Sequence, residues 1–151
     1  MKTRDIIQEI KSCESLCEAG KAATAHFLEV CSSDPTRIPA TGNFRMRDIR
    51  ACHGDLERTY LIRMFAVFEV ILREFWQHVA RKRSHPPANR LMDRIALRCS
   101  VPIEYLVKAH SVREFRNALV HGGRRESVAL GDARSYLCRF LSNLPREWLR
   151  S

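Results

Sequence analysis

Ile6, Ile10, Cys13, Cys17, Phe27 and Cys31 fall on one alternating three-and-four spacing, with Glu, Lys and Gln among the residues between them. That period lines up one face of an α-helix, so an amphipathic helix is expected from Thr3 to Cys31. The pattern then breaks. Residues 32–54 carry Asp34-Pro35, Ile38-Pro39, Thr41-Gly42-Asn43 and scattered arginines, a composition that favours turns and predicts a long loop. The strongest apolar pattern follows from Asp55 to Arg83. Leu61, Phe65, Phe68, Leu72, Phe75 and Val79 alternate four and three apart, and Met64, Ile71 and Trp76 widen the stripe. A stripe that broad expects burial on more than one side, as in the central helix of a bundle, with part of its surface free to face a second subunit.

Pro86-Pro87 stops this helix, since proline removes a backbone donor and disfavours helical geometry in its predecessor. A short helix over about Asn89 to Arg98 carries Leu91, Met92, Ile95 and Ala96 inward. Ser100-Val101-Pro102 restarts the chain with a capping residue and a proline in the first turn. The next helix carries Ile103, Leu106, Val107, Phe115 and Leu119 and ends at Gly122-Gly123, the residue type of a left-handed C-terminal stop. A last helix, Leu130 to Asn143, packs Ala133, Leu137, Leu141 and Leu144 before Pro145. No strand alternation, internal repeat or low-complexity tract competes. The fold class expected is all-α, a four- to five-helix up-and-down bundle with a long loop after the first helix.

At 151 residues the chain fits one domain, 1–151, with enough length for a single core. It has no run of eighteen apolar residues, and its first twelve are charged and periodic, so neither a membrane span nor a signal peptide is expected and the cytoplasm is the expected location. The six cysteines follow neither a disulfide framework nor paired zinc-ligand spacing, which leaves reduced thiols and no metal or cofactor. Charge changes the picture more. The formal net charge is +9, and arginine outnumbers lysine 21 to 5. Cationic surface gains affinity for polyanions by releasing counterions, and guanidinium grips phosphate in a bidentate fork, so RNA is a fitting partner.

Chemistry-bearing residues concentrate in one place. Arg113, Arg116, Asn117 and His121 lie within nine residues, followed by Gly122-Gly123 and then Arg124 and Arg125. On an ideal helix Arg116 and His121 point about 140° apart, whereas Asn117 and His121 share a face. The glycines allow the last turn to open, so that His121 can turn toward whatever Arg116 addresses. Cleavage of RNA by its own 2′-hydroxyl needs a base, an acid and positive charge on the phosphorane oxygens. Histidine can act as acid or base, and arginine can only clamp and stabilise charge. One of each is too few, which argues for a two-fold dimer that joins two such helix ends.

Arg116-Asn117-Ala118-Leu119-Val120-His121 resembles the R-x(4–6)-H signature of the HEPN superfamily, including the polar residue that commonly follows the arginine. The resemblance plus the order of helices covers Leu56 to Trp148. It implies a helical, commonly dimeric fold, and a metal-independent endoribonuclease of the kind found in toxin–antitoxin, phage-defence and RNA-processing systems, with an antitoxin protein as a possible partner. Carried over by position, Arg116 is the phosphate-binding catalytic arginine, His121 the catalytic histidine and Asn117 a supporting residue. Glu69 resembles an acidic position that braces the motif arginine. Arg113, Arg124 and Arg125 are the expected RNA contacts. Gly123 stands where some members have a tyrosine modified by a partner nucleotidyltransferase, so silencing by that route is not expected. Other members are non-catalytic RNA-binding or dimerisation modules, the alternative reading of this chain.

Simpler explanations compete at several positions. Arg116 and His121 also suit a helix C-terminus whose cations complement the macrodipole. His110 fits a structural histidine near the buried face of its helix. Arg81-Lys82-Arg83 fits either capping or RNA contact, and Arg45, Arg47 and Arg50 fit a solvated loop more readily than a phosphate-binding arm. Phe75 and Trp76 fit the core, and Trp148 is expected to dock onto the bundle.

Overall fold

The computed structural model describes residues 3–39, 42–80, 84–145 and 148. Among them the chain forms five α-helices and no strand: α1, Thr3–Ser33; α2, Met46–Ala80; α3, Ala88–Cys99; α4, Ile103–His121; and α5, Leu130–Leu141. A single 3₁₀ turn, Pro35–Arg37, separates α1 from the chain leading to α2. Asp34 caps that turn, accepting from the Thr36 N–H at 3.1 Å and the Thr36 hydroxyl at 2.6 Å. These hydrogen bonds hold the Asp34 carboxyl below its ordinary range, the Thr36 hydroxyl contributing most.

The expected loop over 32–54 is shorter than its composition implied, because α2 begins at Met46. The Asp48 carboxylate reaches back to the Arg45 N–H at 2.7 Å, while the Arg45 carbonyl accepts from the Asp48 N–H at 2.8 Å. This is half of a capping box, and it starts the helix nine residues ahead of the strong apolar stripe. Met46, Ile49, His53 and Leu56 are each half-buried on a narrow face that runs beside α1. His53 shares a hydrogen bond with Thr24 at 2.6 Å, and Lys21 lies 3.4 Å from Glu57. The two contacts run in opposite directions along the two helices, which fixes α1 and α2 as antiparallel.

The middle of α2 is the centre of the molecule, since this helix packs against all four others. Leu61, Met64, Phe65, Phe68, Ile71, Leu72 and Phe75 are all buried. Phe68 meets Phe140 of α5 edge to face at 5.5 Å, and Phe75 meets Trp148 at 5.1 Å, so Trp148 docks on the bundle as expected. A phenylalanine buried this way contributes about 3–5 kcal/mol, measured as the loss on truncation to alanine. On α1, Ile6, Ile10, Cys13 and Cys17 join the same core, and Cys31 is buried further along the helix. Glu14 pairs with Arg134 at 3.1 Å, which ties α1 to α5. All six cysteines are free thiols. Burial pushes the thiols of Cys13, Cys17, Cys99 and Cys138 up, which is the reverse of what a nucleophilic thiolate requires.

Candidate functional site

The end of α4 positions the site through the phase of that helix. Ala109 and Val112 are its buried residues, and Leu106, Phe115 and Leu119 lean on the core beside them. Ile103 and Val107, part of the apolar pattern of this helix, are 72% and 59% exposed. The helix buries the side that carries Ala109 and Val112 and turns Ile103 and Val107 toward solvent. With that phase, Arg113, Asn117 and His121 come one turn apart along one side, drifting by about 40° per step.

These three residues line an open groove of about 520 Å³, together with Glu114, Ala118 and the stretch Gly122 to Arg125. His121 is the last residue of α4, exposed and without a hydrogen bond among the described residues. The helix stops there because Gly122 adopts φ +75° and ψ 146°, and Gly123 follows at φ +150°. This differs from the expected left-handed helical stop: ψ is extended, so the chain leaves α4 directly and residues 122–129 run without helix to α5. Arg124 and Arg125 are carried past the imidazole on that segment, and both are exposed.

Arg116 does not line the groove. Its guanidinium carbon lies 5.8 Å from the centre of the buried Phe65 ring, and its Nη1 donates to Asn117 Oδ1 at 2.9 Å. Among the described residues, the Nε atoms of Arg113 and Arg116 are both buried without a hydrogen-bond partner. Glu69 does not brace Arg116 either. Its carboxylate accepts from Arg73, one turn along α2, at 3.1 Å to Nε, and Arg73 also donates to the Pro86 carbonyl at 3.2 Å. The signal for that pairing stood in the sequence, as a Glu and an Arg four apart on a helix surface.

Glu114, not singled out by the sequence pattern, is the acidic member of the groove. Its carboxylate lies 3.6 Å from Arg113 Nη2 and 3.8 Å from Arg125 Nη1, closing a loose bridge between α4 and the following segment. An acid inside the basic run from Arg113 to Arg125 was the available clue. His110 links α4 to α3, with Nε2 2.7 Å from Asp93 Oδ1. Arg47 belongs to α2 and lies 3.6 Å from Asp48, so it is not part of a loop arm. Trp76 leans on the core, donates to the Ser84 hydroxyl at 3.0 Å and carries Arg94 over its ring at 5.7 Å. The run Arg81-Lys82-Arg83 lies outside the described residues.

Among the described residues no cluster of His, Cys, Asp and Glu could hold a metal ion, and no helix is long and apolar enough to cross a membrane. Comparison with protein-family models, with curated proteins and with solved structures found no match. Chemically, the groove offers one imidazole for proton transfer, guanidinium groups for an anion, and an amide between them.

Proposed function

We propose that this chain is an endoribonuclease of the HEPN type, which cuts RNA without a metal ion at a site completed by a second copy of the chain. The observation that carries the reading is the exposed His121 in one groove with Arg113, Asn117, Arg124 and Arg125. In the reaction O2′ of the substrate attacks the adjacent phosphorus and the bond from phosphorus to O5′ breaks. A base takes the proton from O2′ and an acid delivers one to O5′, leaving a 2′,3′-cyclic phosphate and a 5′-hydroxyl. His121 serves one of these roles and the His121 of the second copy the other. The guanidinium groups stabilise charge on the non-bridging oxygens. Partners in this reading are RNA, a second copy and, for a toxin or defence effector, an antitoxin protein that restrains it.

Incubation of the purified protein with single-stranded RNA in EDTA tests the mechanism. Cleavage is expected, with a loss of about 10²–10⁴-fold in His121→Ala, the usual contribution of a general acid or base, and a loss also in Arg116→Ala. Cleavage that needs added metal, or that survives both substitutions, overturns the proposal. One observation favours a second reading, a non-catalytic RNA-binding module: Arg116 is held over Phe65, outside the groove. Salt-sensitive RNA binding without cleavage at any pH, unchanged in His121→Ala, is the result that would select it.

A further inference from the structure

We propose that Arg113, rather than the motif residue Arg116, grips phosphate in this groove, and that Arg116 is a positioning residue acting through Asn117. The assignment rests on RNA as the ligand of the groove, but not on RNA being cut.

Helical phase separates the two arginines. Arg113, Asn117 and His121 are four residues apart and line the same side, while Arg116 precedes Asn117 by about 100° and turns toward α2. There its guanidinium is held twice, by the Phe65 face at 5.8 Å and by Asn117 Oδ1 at 2.9 Å. Phe65 is only 1% exposed, so this is a cation–π contact at the edge of the core rather than on the surface. Swinging Arg116 into the groove would break its contact with Phe65.

The hydrogen bond also decides which way Asn117 faces. Arginine has donors and no acceptor, so only the amide oxygen of Asn117 can face it. The Nδ2 group, with two donors, is the end left for a ligand in the groove. A phosphate has acceptor oxygens only, and an amide fixed by its oxygen offers what they need. Arg116 thus influences the ligand by orienting an amide.

Arg113 has the opposite arrangement. Its side chain is 21% exposed, it lines the groove, and its Nη2 lies 3.6 Å from Glu114 Oε1. The same carboxylate lies 3.8 Å from Arg125 Nη1. Both separations exceed hydrogen-bond length, and such part-exposed pairs are weak, so a doubly accepting phosphate can take the place of the carboxylate between the two guanidinium groups. Glu114 marks the anion position and competes for it.

Fluorescence anisotropy with a single-stranded 2′-O-methyl RNA, whose blocked O2′ prevents cleavage, separates the roles across a salt series. Each phosphate contact on a single strand adds about 0.7 to the slope of log affinity against log salt. Arg113→Gln is expected to weaken binding about tenfold or more and to lower the slope by about 0.7. Arg116→Gln should leave the slope unchanged and weaken binding as much as Asn117→Ala, with the double variant no worse than either. Glu114→Gln, on a half-exposed side chain that does not endanger folding, should bind about two- to fivefold more tightly.

A slope change in Arg116→Gln, no change in Arg113→Gln, or additive losses in the double variant would overturn the assignment. So would unaltered or weaker binding by Glu114→Gln, which decides the matter even if Arg113→Gln fails to fold. If the unaltered protein binds this RNA but never cuts the unmodified strand, the nuclease reading falls and the slopes still judge Arg113. If it binds no RNA, both proposals fall.

Discussion

Gly122 sits at φ +75° with ψ 146°, a region that side chains with a Cβ avoid even where, as here, no neighbour stands within 4 Å of the added carbon. The strain is in the backbone alone. Gly122→Ala is therefore expected to lose about 1–3 kcal/mol in urea unfolding, or to let the chain relax and displace Arg124 and Arg125 from the groove. Unchanged stability together with unchanged RNA affinity would mean that the glycine is not needed. The residue types of this site were readable in the sequence, because arginine, amide and imidazole stand close along the chain. Which arginine faces the groove was not. That depends on the rotation of α4, which buries Ala109 and Val112, and on the Phe65 face that holds Arg116. Glu69 illustrates the same limit: its spacing from Arg73 was visible in the sequence, but only the packed helices show that it serves Arg73 and not Arg116.

At the scale of elements, the helices with dense apolar stripes were legible, and the first nine residues of α2 were not. That stretch has an isolated Gly54, and its contact face is made of half-buried residues, including a polar histidine bonded to Thr24. Turn-forming residues just before it extended the expected loop too far. The distinction is measurable at Gly54, which is exposed inside α2 with no atom within 4 Å of the place a Cβ would take. Glycine in a helix interior is about 0.5–1 kcal/mol less favourable than alanine. Gly54→Ala should accordingly stabilise the protein by about that amount in chemical unfolding. A loss of stability would place residues 46–54 outside the helix. α4 raises the complementary difficulty. Its apolar residues are spread around the helix, so periodicity did not separate Leu106, Phe115 and Leu119, which pack on the core, from Ile103 and Val107, which are exposed.

For the whole molecule, the question is how many copies the site needs. The groove holds a single histidine, and two-step proton transfer in one cleavage event requires a second group. The proposed function supplies it from another chain, which makes activity a property of pairs. Light scattering should then give twice the 17.5 kDa chain mass. A mixing experiment tests the composite site more directly than mass. Wild-type protein and an equal amount of His121→Ala are combined until subunits have exchanged, with differently tagged chains to verify it. Random pairing leaves about a quarter of the dimers with two intact histidines. If each cleavage uses both, activity falls to about a quarter of that of the same total amount of wild-type protein. If each chain works alone, it falls to about a half. A linear dependence on the wild-type fraction, or a monomer that retains full activity, would remove the second copy from the mechanism and oblige one chain to provide both proton-transfer groups. His110 is poorly placed to be the second group, since its Nε2 is bound to Asp93 between α3 and α4 and it lies outside the groove. The quarter-to-half distinction thus decides between a site built by two helix ends and one that a single α4 must complete.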